Sequence, residues 1–303
     1  MGLKSLISLP LAFLASACIS KVELVQSPIV FEPVIGSEVR SSSETDMSVP
    51  FPEDKSFGVW AQDIKSGTPD NSQPEYISDQ EITSINGVWT SRSLPLWPAT
   101  TLTFTAYSPV SLPMTYDGGV LRLEGYESGQ EEILFAQSEK GLQASQGAVK
   151  LQFQHALTKL DMRIANGYGA GVDVRVDRIL LTNVAQKGDF DSSRPKYWTA
   201  DESSATDIVI FDSERDGEFL AEPKMKFIGD VQTIIPQALN ARIELQYSFR
   251  VDEGDWIDGQ KDVSESIDIF WEAGRYYTYS LTINETRLSY TTGISHWNGR
   301  ENR

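Results

Sequence analysis

The residues able to do chemistry are few and scattered. Histidine occurs twice, as His155 and His296, and cysteine once, as Cys18. A Ser-His-Asp arrangement needs a histidine held by suitable neighbours, and neither histidine sits in a G-x-S-x-G or H-E-x-x-H motif. Zinc wants several Cys or His ligands, more than the chain offers. Asp189 and Asp191 form one acidic cluster beside turns, and Asp252, Glu253, Asp255 and Asp258 form another. Calcium uses such oxygens, but neither cluster has EF-hand spacing, and solvated loop acids are the plainer reading. Paired carboxylates for sugar hydrolysis cannot be picked out among 43 acidic residues. No Gly-rich phosphate loop follows a strand. The seven tryptophans suggest sugar stacking, yet Trp60, Trp97 and Trp271 lie in strand-like contexts where core packing is the default. These residues point to no catalytic centre, no metal and no cofactor.

Two other stretches carry processing chemistry. Lys4 supplies a positive start, and Leu6 to Ala17 (LISLPLAFLASA) is an apolar run too short to span a bilayer. It ends in Ala15-Ser16-Ala17, directly before Cys18. A small-residue site followed by Cys resembles a bacterial lipobox, in which the cysteine is acylated and becomes the new N-terminus. The usual Leu three places before Cys is Ala15 here, with Leu14 one place further back. The expected product is an exported lipoprotein without disulfides. The second stretch is GSEVRSSSETD, a Ser-rich segment that cannot pack a core. Arg40 sits at its centre and is the only basic residue between Lys21 and Lys55.

The elements that must position these residues read as β-structure. The chain has 303 residues, enough for about two domains. Its net charge of −17 disfavours nucleic acid and anionic lipid as partners. An apolar, β-prone segment, VELVQSPIVFEPVI, precedes the Arg40 loop. Beyond it, FGVWAQDI (Phe57 to Ile64) and LTFTAY (Leu102 to Tyr107) read as strands, the second stopped by Pro109. Val172, Val174 and Val176 alternate with Asp173, Arg175 and Asp177, which gives one dry and one wet face. Further alternating runs end in Tyr277 to Ile283. Single helical turns are expected near Glu131 to Ala136 and His155 to Leu160. Many short strands with frequent turns predict β-sandwiches.

VKLQFQHALTKLDMRI marks a joint. Val149, Leu151 and Phe153 share odd parity, whereas Leu160, Met162 and Ile164 share even parity. A strand has a side-chain period of two, so the flip requires a turn or bulge within residues 154–159. His155 lies on the inward parity beside Phe153, which predicts a partly buried histidine that hydrogen-bonds the turn.

Several stretches in order resemble the fimbrillin family of Bacteroidales, the subunits of type V pili. A lipobox-like signal is followed by IVF (Ile29 to Phe31), the Arg40 loop and FGVWA. PLWPATTLTFTAYSP is similar to the family's pattern at Trp97, Pro98, Phe104, Ala106, Tyr107 and Pro109. GQEEILFA resembles its Gln-acidic-acidic-apolar-apolar segment, and LQFQHALTKLDMRI its Phe-x-His-Ala-Leu-x-Lys-Leu signature. VDRILLTN, IIPQ, WEAGRYYTYSLTI and ISHW follow. The lipobox and residues 196–225 depart from the family.

The resemblance implies an all-β chain of two tandem transthyretin-like β-sandwich domains. It implies a signal peptide at 1–17, a lipidated propeptide with an N-terminal β segment at 18–40, and sandwiches at 41–157 and 158–303. The implied function is that of a non-enzymatic structural or adhesive pilus subunit. Cys18 would carry lipid to the outer membrane, and an Arg-specific protease would cut after Arg40. The N-terminal strand would then leave, and a neighbouring subunit's strand would replace it. Leu288, Tyr290 and Ile294 share a parity near the C-terminus and are donor-strand candidates, with an ordinary last strand as the alternative. Phe153, His155, Leu157 and Leu160 belong to the joint signature rather than to an active site. Partners would be other pilus subunits at the cell surface. The alternative function is a surface glycan-binding β-sandwich lipoprotein, which would have exposed tryptophans in a row; a secreted hydrolase is a further alternative.

Overall fold

The computed structural model describes residues 27–36, 48–63, 74–129, 131–285 and 288–297. The strands that precede the joint are β1 (Phe31–Ile35), β2 (Val49–Pro50), β3 (Phe57–Gln62), β4 (Ile77–Ile85) and β5 (Val88–Thr90). They continue with β6 (Thr103–Ser108), β7 (Thr115–Asp117), β8 (Val120–Glu127), β9 (Leu134–Gln137) and β10 (Val149–His155). After it come β11 (Thr158–Asn166), β12 (Val172–Asp191), β13 (Trp198–Asp212), β14 (Phe219–Ala221), β15 (Lys226–Ile234) and β16 (Ala238–Ala241). The last are β17 (Ile243–Val251), β18 (Ile257–Val263), β19 (Ile267–Phe270), β20 (Arg275–Ile283) and β21 (Leu288–His296). The protein is all-β. Among the described residues no helix is long and apolar enough to cross a membrane.

The first sheet runs β10-β9-β6-β3-β4-β5-β1-β2, and β1 also pairs with β10, so the order closes on itself. The second runs β15-β11-β20-β21. The third runs β18-β17-β12-β8-β7, with β13 and β14 also on β12; β16 and β19 form a small fourth sheet. The 20-residue strand β12 pairs near its start with β17 and near its end with β8. It therefore ties strands from before and after the joint.

Among the described residues, three apolar clusters follow from the alternation. The first, inside the closed sheet, gathers Phe31, Phe51, Phe57, Phe104 and Phe153. These rings meet at 4.9–5.7 Å, mostly edge to face, the favoured aromatic geometry. The second lies between the second and third sheets and contains Leu160, Met162, Ile164 and Trp271. The third joins the two and includes Trp60, Tyr107, Leu157, Phe190, Trp198 and Trp297. Trp60 stacks on both Tyr107 and Tyr116, each at 5.2 Å.

The parity flip is where the backbone changes sheets. β10 points Val149, Leu151, Phe153 and His155 inward. Ala156 and Leu157 enter the third cluster, and β11 then sends Leu160, Met162 and Ile164 into the second.

The two expected helical turns are not formed. Residues 134–137 are β9, and residues 155–160 run from the end of β10 into β11. EEILFA and HALTKL are too short to separate helix from strand by periodicity alone. Pairing of β9 with β6 and of β11 with β15 and β20 decides the matter. The helical turns lie instead at Ala144–Gln146 and Ser213–Asp216, the latter capped by the Asp212 side chain on the Glu214 N–H.

Candidate functional site

The site begins with β1, because this short strand closes the first sheet. It runs parallel to β10 in register from Phe31 opposite Val149 to Ile35 opposite Phe153. On its other side it meets β2 and, at Phe31, Trp89 of β5. The hold extends past the strand: the Val149 N–H donates to Val30 O at 2.9 Å and the Gly36 N–H to Phe153 O at 3.0 Å. Ile29, Phe31 and Ile35 are buried in the first cluster, while Glu32 faces solvent. Phe31 packs edge-on against Phe57 and Phe104. Pro33 lies opposite Leu151 and has no N–H to give to a ladder, a defect that sheets tolerate mainly at edges. A slot one strand wide thus lies between β10 and β5, filled by a strand with one missing donor.

At the far end of the chain, β21 pairs with β20 from Leu288 opposite Ile283 to His296 opposite Arg275. It is the outer strand of the second sheet. Leu288 is buried, Tyr290 is half-buried with its hydroxyl donating to Ser266 O at 3.3 Å, and Ile294 is 55% exposed. The structure thus keeps the three donor-strand candidates on their own sheet.

The joint signature is packed. Phe153, Leu157 and Leu160 are fully buried, one in each apolar cluster. His155 is buried too, but its Nδ1 pairs with the Glu132 carboxylate rather than with the turn. Its Nε2 is buried without a hydrogen-bond partner. Its ring stacks on Trp297, whose backbone N–H donates to Gly274 O at 2.9 Å. Glu132 and Trp297 are the contacts that reading one segment at a time misses. They come from EEILFA and ISHW, two stretches singled out in the sequence but not connected there.

The acidic clusters are tied into turns. Asp191 accepts from Arg122 at 3.1 Å and from Ser193, and Asp189 accepts from the Gly125 N–H at 2.8 Å. Burial opposes ionisation of Asp191, but Ser193 and Arg122 hold its carboxyl below the usual range. Asp258 meets Arg175 at 3.1 Å. Trp60, Trp97 and Trp271 are all buried, so they offer no exposed row. Cys18 and Arg40 lie outside the described residues, as does the apolar stretch from Leu6 to Ala17.

The described site therefore consists of a closing strand, a slot and an edge strand. A model of fimbrillin-like proteins matches residues 42–297. No curated protein matches the chain. Among solved structures, a fimbrial protein from Bacteroides vulgatus aligns at TM-score 0.58 and 14% identity, over 88% of this chain and 99% of that one. A candidate cell adhesion protein from Bacteroides ovatus aligns at 0.54 and 17%, over 90% and 98%. Another from Bacteroides uniformis aligns at 0.52 and 16%, over 89% and 98%. At these identities the structures share a fold with this chain, and the family match spans most of its length. The chain belongs to the fimbrillin-like family.

Proposed function

We propose that the chain is a structural subunit of a surface pilus that polymerises by strand exchange. In this reading it is exported as a lipoprotein and acylated at Cys18, which places it at the outer membrane. An Arg-specific protease cuts after Arg40, and β1 leaves with the segment before it. A strand from the next subunit then enters the slot. The working division is a propeptide at 18–40 and two transthyretin-like sandwiches at 41–157 and 158–303. The role is non-enzymatic, and the partners are other pilus subunits.

The closure of the first sheet by β1 carries this reading. Removing β1 leaves unpaired backbone on β10 and uncovers the first apolar cluster, a template for another strand. Burial of each large side chain is worth roughly 1.5–3 kcal/mol, so cleavage alone does not expel β1. An incoming strand has to recover the same burial. β21 has the pattern to do so. Ile29, Phe31, Pro33 and Ile35 are an aliphatic, an aromatic, a small residue and an aliphatic at alternate positions. Leu288, Tyr290, Thr292 and Ile294 repeat that order. Main-chain bonds supply affinity in such an addition and side-chain pockets supply specificity. Contacts of this kind run head to tail without closing, which builds filaments.

The test is protease treatment of the purified full chain followed by electron microscopy. Wild type should form filaments with the N-terminal segment removed, and Arg40→Ala should stay monomeric. Undiminished filaments from Arg40→Ala, with the segment still removed at the same place, would refute the mechanism. Cys18→Ala should leave the chain unacylated; an unmodified Cys18 thiol in membrane-extracted wild type counts against the lipid step.

A further inference from the structure

A cleft of about 810 Å³ opens on the outer side of the first sheet, where it faces the turn between β7 and β8. Its floor is set by the alternation of β10. Val149, Leu151 and Phe153 point into the core, so Lys150, Gln152 and Gln154 point the other way, into the cleft. Ser192 and Tyr197, from the connection between β12 and β13, line the opposite wall. The cleft is thus built from two sheets at their seam, a frequent location for ligand sites.

Three observations define what it can hold. First, the side chains of Lys150, Gln152 and Gln154 make no hydrogen bond or ion pair among the described residues. Gln152 and Gln154 are half-buried, so two amides are partly withdrawn from water without a hydrogen-bond partner among the described residues. Second, β1 takes one backbone edge of β10 from Val149 to Phe153 and β9 takes the other at Gln154 and His155, so an extended peptide would find only the short stretch from Lys150 to Gln152 to pair with. Third, Tyr197 has φ +60°, the left-handed region that non-glycine residues seldom adopt. Such strain gathers at binding sites because the surroundings must hold it.

An amide presents a donor and an acceptor side by side, which matches a hydroxyl that is both. Lys150 to Gln154 spans four residue steps, roughly 13 Å along the strand, a length for an oligosaccharide rather than a single sugar. Lys140, Lys150 and Glu139 border the cleft together, so no single sign of charge dominates it. We propose that this cleft binds a hydroxyl-rich oligosaccharide, with Gln152, Gln154 and Lys150 as its polar floor and Tyr197 as the wall on which a sugar ring stacks. The site does not depend on strand exchange.

The test uses the full chain in detergent on an array of immobilised oligosaccharides built from mannose, galactose, N-acetylglucosamine or fucose. At least one group of related glycans should be retained, and saturation-transfer NMR with that glycan should report contact. The Gln152→Ala/Gln154→Ala double variant should lose at least about tenfold in affinity, with an unchanged unfolding midpoint because both side chains lie outside the core. Glu202→Ala, on exposed β13, should bind as wild type does. Retention of no glycan on the array, or equal binding by the double variant, overturns the proposal.

Discussion

The imidazole of His155 lies flat against the indole of Trp297, with ring centroids 4.0 Å apart and planes 8° from parallel. Lys159 adds its ammonium 4.5 Å from the same indole. This contact joins the end of β10, the strand that holds β1, to the residue that follows β21. The two ends of the candidate assembly machinery therefore meet at one buried stack.

Trp297→Ala should destabilise the protein by about 3–5 kcal/mol, the usual range for emptying a buried aromatic site. Amides of β21 should also exchange faster, because Trp297 pins the end of that strand. Denaturant unfolding and hydrogen exchange read the two effects. Unchanged exchange in β21 would show that the stack does not hold the strand.

The proposed exchange fixes a register. If β21 enters a neighbour's slot with Leu288 in the place of Ile29, Tyr290 takes the place of Phe31. A photoreactive phenylalanine analogue at position 290 should then crosslink to peptides containing Phe57 or Phe104 of the adjacent subunit. Crosslinks only to β20 of the same chain, in formed filaments, would rule out this register.

Alkaline pH should weaken the fold. Burial, then the charge of Glu75, pushes the Tyr116 phenol up to about 12. Burial raises Tyr107, Tyr126, Tyr247 and Tyr279 further still. Above the ordinary phenol value of about 10, the unfolded chain loses protons that the folded chain keeps. Stability is thus complete below that value and falls as pH rises toward the folded values. Urea midpoints measured from pH 8 to 12 (~2 units either side of the phenol value) should be level at first and then drop. A midpoint flat across the whole range would contradict this.

Gly229 is a backbone requirement in β15. It has φ +70°, and a Cβ there would sit 2.2 Å from Ile210 O. It lies opposite the register shift between Leu160 and Met162, where a bulge is accommodated. Gly229→Ala should cost about 1–3 kcal/mol through this strain, read as a lower unfolding midpoint. A neutral effect would mean that the bulge can shift to accept a side chain.

Much of this was legible in short-range pattern. The parity flip between Phe153 and Leu160 is a local property, since strand period is fixed at two, and it located the change of sheet. Trp60, Trp97 and Trp271 read as core from their strand contexts and are buried. What escaped depends on partners distant in sequence. Nothing local to Phe31 announces that it pairs with Val149 in parallel. β12 carries register shifts near Ile179, Leu181 and Ala185, which break its alternation and hide a long strand as several short ones. EEILFA reads as a helical turn until β6 is placed beside it. The cleft floor escaped for another reason: Lys150, Gln152 and Gln154 look like any solvated face until an opposing wall is known.

The parallel run of β1 beside β10 has a mechanical consequence. A hairpin strand pulled from its open end unzips, breaking one bond at a time. A strand lying parallel to its neighbour and pulled lengthwise meets all its cross-links together, in shear. The five register pairs from Phe31 to Ile35 would share such a load. Under the proposed exchange, an occupant that keeps the same direction would inherit this arrangement, so a joint made through the slot would resist tension along the strand while a new strand could still be threaded in from one end.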